Sequence, residues 1–198
     1  MIDRKYVLSQ QQKIITDKKM KAILYIHGMG GSAIEAELYR EFFSGDVIGL
    51  EYDNYEPWTM KEVVAKKYKE LTSRYDEISV IANSIGAYFA MLALGGKAVS
   101  HAYFISPMVD MEKFILTKMK PEEIDSDYLA FVCSFPICWD VPTDILYGSD
   151  DHLIDLPTMQ QFADKHGATL TIMPHGEHWF HTSDQIAFLK KWIKEKAI

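Results

Sequence analysis

Continuous apolar runs and amphipathic stretches alternate along most of the chain. Ala22 to Ile26 is apolar throughout, as a strand is when both of its faces are covered, and it ends in His27-Gly28-Met29-Gly30-Gly31. Ser32 with Glu35 makes a capping box for a helix through about Phe43. Asp46 to Tyr52 predicts a second strand, followed by a loop holding Asp53, Asn54 and Pro57. Thr59 with Glu62 is another capping pair, and Val63, Val64, Tyr68, Leu71 and Tyr75 recur at roughly helical spacing. Ile78, Val80 and Ile81 predict a third strand that passes within a few residues into a helix from Ala87 to Leu94. His101 to Ser106, closed by Pro107, is strand-like again. Residues 1–18 are polar with a few apolar positions and suit an edge hairpin or a loose lead-in.

Between Met108 and Val141 the pattern is less regular. Glu122, Glu123, Asp125 and Asp127, two prolines, and the aromatic residues Tyr128, Phe131, Phe135 and Trp139 predict one or two short helices over the sheet edge. Thr143 to Tyr147 resumes the sheet, and Pro157 opens a helix to about His166 that Gly167 closes. Ala168 to Met173 is the last strand. A terminal amphipathic helix from about Asp184 carries Ile186, Leu189, Trp192 and Ile193 on its inner side. Strands alternating with helices call for a mostly parallel sheet flanked by helices on both faces, the α/β class. At 198 residues, 48% of them hydrophobic, the expectation is one domain over 1–198 with a short cap insertion at about 108–141.

Composition narrows the partners. A net charge of −7 argues against nucleic acid and anionic membranes and favours a small or neutral ligand. No apolar run reaches a membrane span, and Met1-Ile-Asp-Arg-Lys-Tyr6 lacks the apolar stretch of a signal peptide, so a cytoplasmic home is expected. Cys133 and Cys138 are too few for a disulfide framework and are expected as reduced thiols.

The chemistry centres on Ser84. It stands where the third strand turns into a helix, with the small residues Ala82 and Gly86 two places to either side. So abrupt a turn holds its central residue in a strained conformation and brings flanking backbones close together, which small neighbours permit. The serine hydroxyl then lies beside the first free N–H groups of the helix, a setting suited to developing negative charge. This is the nucleophile-elbow pattern with Ala82 in place of its first glycine. A helix N-cap is the plainer use of such a serine, so the rest of the chain must decide.

Four polar, glycine-bearing strings each follow an expected strand: His27 to Gly31, Asn83 to Gly86, Gly148 to Asp151, and His175 to His178. In an open parallel sheet the carboxyl ends of the strands share one edge, where ligands bind, so these strings meet there. A hydroxyl attacks well at neutral pH only if a base takes its proton, and an imidazole does so best when a carboxylate supports it. Ser84, an aspartate from Gly148 to Asp151, and His178 occur in that chain order. Asp150 and the more distant Asp155 compete with Asp151 for the acid's place, and His175 and His181 compete with His178. The three-residue spacing of His175, His178 and His181 lacks the helical His-Glu-x-x-His pattern, so no metal is expected.

From Ala22 to the carboxyl terminus the chain resembles a compact α/β-hydrolase of the small serine esterase kind. The resemblance implies Ser84 as nucleophile, Asp151 as the acid at the third position after Gly148, and His178 as general base and acid. It also implies an oxyanion hole from the backbone N–H groups of Met29 and Ile85. The expectation is a cofactor-free serine hydrolase that cleaves a small-molecule carboxylic ester of small or medium acyl group through an acyl-enzyme. Thioesters and amides use the same machinery. A hydrolase-fold protein that binds a ligand or a protein partner without chemistry is the alternative. His27 is expected to brace its turn by hydrogen bonding, and the aromatic residues between Tyr128 and Trp139 to pack the cap and line an acyl pocket.

Overall fold

The computed structural model describes residues 19–197, so the lead-in expected over 1–18 lies outside the described residues. Its centre is a six-stranded sheet formed by β1 (Lys21–Ile26), β2 (Asp46–Leu50), β3 (Glu77–Asn83), β4 (Ala102–Ile105), β5 (Thr143–Gly148) and β6 (Thr169–Met173). The strands lie in the order β2-β1-β3-β4-β5-β6, and every pairing is parallel. All the turns that follow the strands therefore emerge at one edge.

Period-two alternation divides the buried residues between two faces. Leu24, Ile26, Val80, Ala82, Phe104 and Ile145 pack with the helices α1 (Pro57–Thr72), α2 (Ile85–Leu94), α3 (Met111–Lys118), α4 (Ser126–Ser134) and α5 (Leu156–His166). Ile23, Tyr25, Ile81, Tyr103, Ile105 and Leu146 face the other way, against a 3₁₀ helix (Ala33–Phe42) and the terminal helix α6 (Ser183–Lys196). The buried stripe of α6 is Gln185, Leu189, Trp192 and Ile193; Ile186, expected on it, is only partly covered, and Gln185 is buried in its place. Far from the carboxyl ends of the strands, Asp144 at the start of β5 pairs with His101 at 2.9 Å and with Lys196 at 2.8 Å, which fastens the end of α6.

Three local differences from the sequence reading have physical causes. The segment after Ser32 is 3₁₀ rather than α-helical, although Glu35 does accept from the Ser32 N–H at 3.2 Å. Helix α1 starts at Pro57, not at Thr59, because the Glu56 carboxylate takes up Trp58 Nε1 at 3.0 Å and Thr59 Oγ1 at 2.9 Å. Tyr75 falls beyond α1, where its hydroxyl bonds Asp46. The helices between β4 and β5 add Met111, Ile115 and Val132 to the larger core, and α4 lies against α1, where Tyr128 and Phe131 meet the Trp58 ring edge-on. Cys133 and Cys138 are exposed free thiols, and no helix among the described residues is long and apolar enough to cross a membrane.

Helix α5 supplies a pH-dependent contact. Asp155 caps it, accepting from Thr158 N at 2.9 Å and from Lys113 Nζ at 2.8 Å. The Lys113 bond, then the bonds from Thr158, hold its carboxyl well below the usual range. A depressed folded value stabilises above the unfolded value of about 4 and loses that contribution as pH falls through the folded value. Asp155→Asn keeps the cap but removes the charge. Its urea midpoint should therefore lie below wild type at pH 7, with the gap closing below about pH 4. A gap independent of pH would contradict the assignment.

Candidate active site

Ser84 lies between β3 and α2 with φ 49° and ψ −120°. Among the described residues, three other than glycine have positive φ, Ser84, Ser106 and His175, and they follow the ends of β3, β4 and β6 on the same edge of the sheet. The serine's backbone is held on both sides. Its N–H donates to Ile105 O at 3.0 Å, and its carbonyl accepts from Ala87 N at 3.1 Å and Met108 N at 3.0 Å. A Cβ on Gly86 would lie 2.3 Å from His27 O and 2.5 Å from Ile26 O, so α2 can begin against the end of β1 only with glycine there.

The structure brings Ser84, His178 and Asp151 into one hydrogen-bonded chain. Ser84 Oγ lies 2.8 Å from His178 Nε2, and His178 Nδ1 lies 2.7 Å from Asp151 Oδ2. A carboxylate can only accept, so Nδ1 carries the proton, and the free lone pair of Nε2 receives the serine hydroxyl. The Asp151 side chain is 0% exposed and that of His178 18%. Asp151 is satisfied without water, because its other oxygen accepts from Leu153 N at 2.8 Å and Ile154 N at 3.2 Å. Beneath this turn Tyr147 donates to Ile154 O at 2.8 Å. Burial, then the charges of Asp151 and Asp155, push its hydroxyl up to about 12, so it remains a donor.

The competing residues lie elsewhere. Asp150 accepts from Ser149 Oγ and faces His175, which is 90% exposed, at 3.6 Å. Asp155 caps α5. His181 Nδ1 donates to Trp179 O at 2.8 Å. The loops after β5 and β6 are tied together by Asp150 N to Gly176 O at 2.8 Å and His175 N to Ser149 Oγ at 2.7 Å, which carries His178 toward Asp151.

The turn from His27 runs directly beside the serine, since a Cβ on Gly28 would lie 3.3 Å from Ser84 Cβ. His27 is fully buried and donates from Nδ1 to Gly28 O at 2.7 Å. Its ring stacks on Tyr52 at 3.9 Å and 11°, and the Tyr52 hydroxyl donates to His27 O. Gly30 N donates to Tyr55 OH at 3.0 Å. Met29 sits within this braced turn with its side chain exposed, and Ile85 opens α2, where the first N–H groups have no partner inside the helix. Sequence reasoning did not find Tyr52 and Tyr55 as braces, because only the fold lays that loop against the turn.

No protein-family model and no curated protein matches the sequence. Solved structures do match. Est1E from Butyrivibrio proteoclasticus superposes with a TM-score of 0.72 at 16% identity, over 90% of this chain and 87% of that one. A second Est1E structure, with ferulic acid bound, gives 0.67 at 16% identity over 92% of this chain and 90% of that one. A member of the α/β superfamily from Xanthomonas campestris pv. campestris gives 0.66 at 14% identity, over 90% and 98%. This chain has the α/β-hydrolase fold. Within that α/β-hydrolase scaffold the serine, aspartate and histidine come from the segments after β3, β5 and β6, which lie in that order along the sheet and open on its carboxyl edge.

The close contact at Gly86 makes a direct test of the turn. Gly86→Ala would have to push α2 off the end of β1, and overpacking of this kind costs about 1–3 kcal/mol. A thermal melt should show the loss, and an unchanged midpoint would mean that the turn is looser than described.

Proposed function

We propose that the protein is a serine hydrolase that cleaves a small-molecule carboxylic ester. The observation that carries this reading is the unbroken chain from the Ser84 hydroxyl through His178 to the buried Asp151, at 2.8 Å and 2.7 Å. In the proposed reaction Ser84 Oγ attacks the ester carbonyl while its proton passes to His178 Nε2. Asp151 holds the imidazole in the right tautomer and stabilises the imidazolium. The N–H groups of Ile85 and Met29 receive the charge on the carbonyl oxygen, which matters because losing one such donor can lower the rate about a hundredfold to a thousandfold. Collapse of the tetrahedral intermediate breaks the bond to the alcohol, which takes the proton from His178. Water, deprotonated by His178 in turn, then releases the acid and restores Ser84.

The likeness to Est1E, one of whose structures holds ferulic acid, supports a small organic ester as substrate. An acyl group of small or medium size is the expectation, with thioesters and amides open to the same machinery. The roles need no cofactor, because nucleophile, base and charge stabilisation are all provided by the chain.

Wild type should be labelled by a fluorophosphonate at Ser84 and should turn over a chromogenic short-chain ester, and Ser84→Ala should do neither. His178→Ala should lower kcat by about four orders of magnitude or more while the protein stays folded. Absence of labelling in folded wild type, together with tight binding of some ligand, would replace the enzyme with a binding protein on the same fold.

A further inference from the structure

Three side chains that the proposed reaction does not touch link the two segments that would hold the oxyanion. Asn83 immediately precedes Ser84, and its Nδ2 donates to the Tyr25 hydroxyl at 3.0 Å. Tyr25, fully buried on β1, donates in turn to Glu35 Oε2 at 2.5 Å. The other oxygen of Glu35 accepts from Ser32 N at 3.2 Å. Ser32 closes the turn that starts at His27 and contains Met29. One end of the relay is thus the peptide before Ser84-Ile85, and the other is the far end of the Met29 turn.

The relay has a defined direction. Burial first, then the neighbouring Tyr39 and the bond and charge of Glu35, hold the Tyr25 hydroxyl well above the usual tyrosine range, so it keeps its proton. That one proton goes to Glu35, leaving the oxygen lone pairs for Asn83. Tyr39 is buried as well, and its hydroxyl also meets the Asn83 side chain. A carboxylate that served only as a helix cap would need Ser32 alone. Its bond to a buried tyrosine that reaches across to β3 is what a cap does not require.

We propose that Asn83, Tyr25 and Glu35 are positioning residues that set the separation and aim of the Ile85 and Met29 N–H groups. This rests on the hydrolase reading above. Donors of this kind act only when their distance to the developing oxyanion is right, and a misplacement of about 1 Å can cost about a hundredfold in rate. The turn has its own braces near His27 and Gly30, through Tyr52 and Tyr55, and Tyr52 also packs edge-on against Phe89 of α2, but neither brace hydrogen-bonds to β3 or Ser84. The relay is a hydrogen-bonded side-chain link between the two donor segments, so its loss should be felt in the transition state and not in ground-state binding.

The test uses the full chain as wild type, Tyr25→Phe, Glu35→Ala and the double variant. For each, kcat and KM with a chromogenic ester are compared with the Kd of phenylboronic acid, which forms a tetrahedral adduct on a serine, and with the melting midpoint. Tyr25→Phe should lower kcat about tenfold or more, leave KM within about twofold, and weaken the boronate by the same factor as kcat. The double variant should be no worse than the poorer single one, because both cut the same chain. Should Tyr25→Phe fail to fold, Glu35→Gln, which keeps the packing and one acceptor oxygen, gives the same readouts. Wild type labelled at Ser84, with kcat and boronate affinity unmoved by these changes, would overturn the relay and leave the hydrolase reading standing. Losses that multiply in the double variant, or that follow the melting midpoint with KM rising alongside, would also overturn it. Wild type that is neither labelled nor active would overturn both.

Discussion

Ser84 reaches its neighbours only because its backbone is held at φ 49° and ψ −120°. A non-glycine residue in that region carries about 1–3 kcal/mol of strain and stays there only if its surroundings leave it no other choice. Here the constraint is largely β4. Ile105 takes the serine N–H, and the segment just after β4 gives its N–H, from Met108, to the serine carbonyl. On the other side, the missing side chain of Gly86 lets α2 start within contact of β1. Relaxation at this one residue would swing the hydroxyl away from His178 and move the first N–H of α2, so the histidine, the aspartate and the braced turn all depend on it.

Two adjacent aspartates illustrate how burial assigns chemistry. A carboxylate withdrawn from water must have its lone pairs filled, or its charge is costly. Asp151 meets that condition with two backbone N–H groups and one imidazole. Asp150, one residue earlier, points the other way toward an exposed histidine and water. Consecutive residues in a turn cannot both face inward, and the turn after β5 faces Asp151 in because Ile154 and Tyr147 close beneath it.

The two edges of the sheet are built for different ends. The carboxyl edge collects the strained residues Ser84, Ser106 and His175 and the glycine-bearing turns. The opposite edge holds the pairing of Asp144 with His101 and Lys196, which joins β5 to the chain's last helix. Strain sits where side chains must be presented, and ion pairing secures the frame that opposes it. A parallel sheet separates these tasks naturally, since every crossover returns the chain to the same starting edge.

The hydrophobic pattern by itself determined the alternation of strands and helices, the parallel sheet with two covered faces, and the Leu189, Trp192 and Ile193 positions of the inner stripe of α6. These follow from local periodicity, which a sequence carries openly. The placing of the four polar strings on one edge also followed, because it needs only strand direction. Tertiary structure decided what depends on contact between distant positions. Tyr25 reads as one more apolar residue in a buried strand and Glu35 as a cap, yet 58 residues separate Tyr25 from the Asn83 it bonds, and only the register of β1 against β3 makes them neighbours. The inward turn of Asp151 over Asp150 and the early start of α1 at Pro57 were settled in the same way. Each is a choice among locally equivalent options, and packing and hydrogen-bond satisfaction across the fold remove all but one.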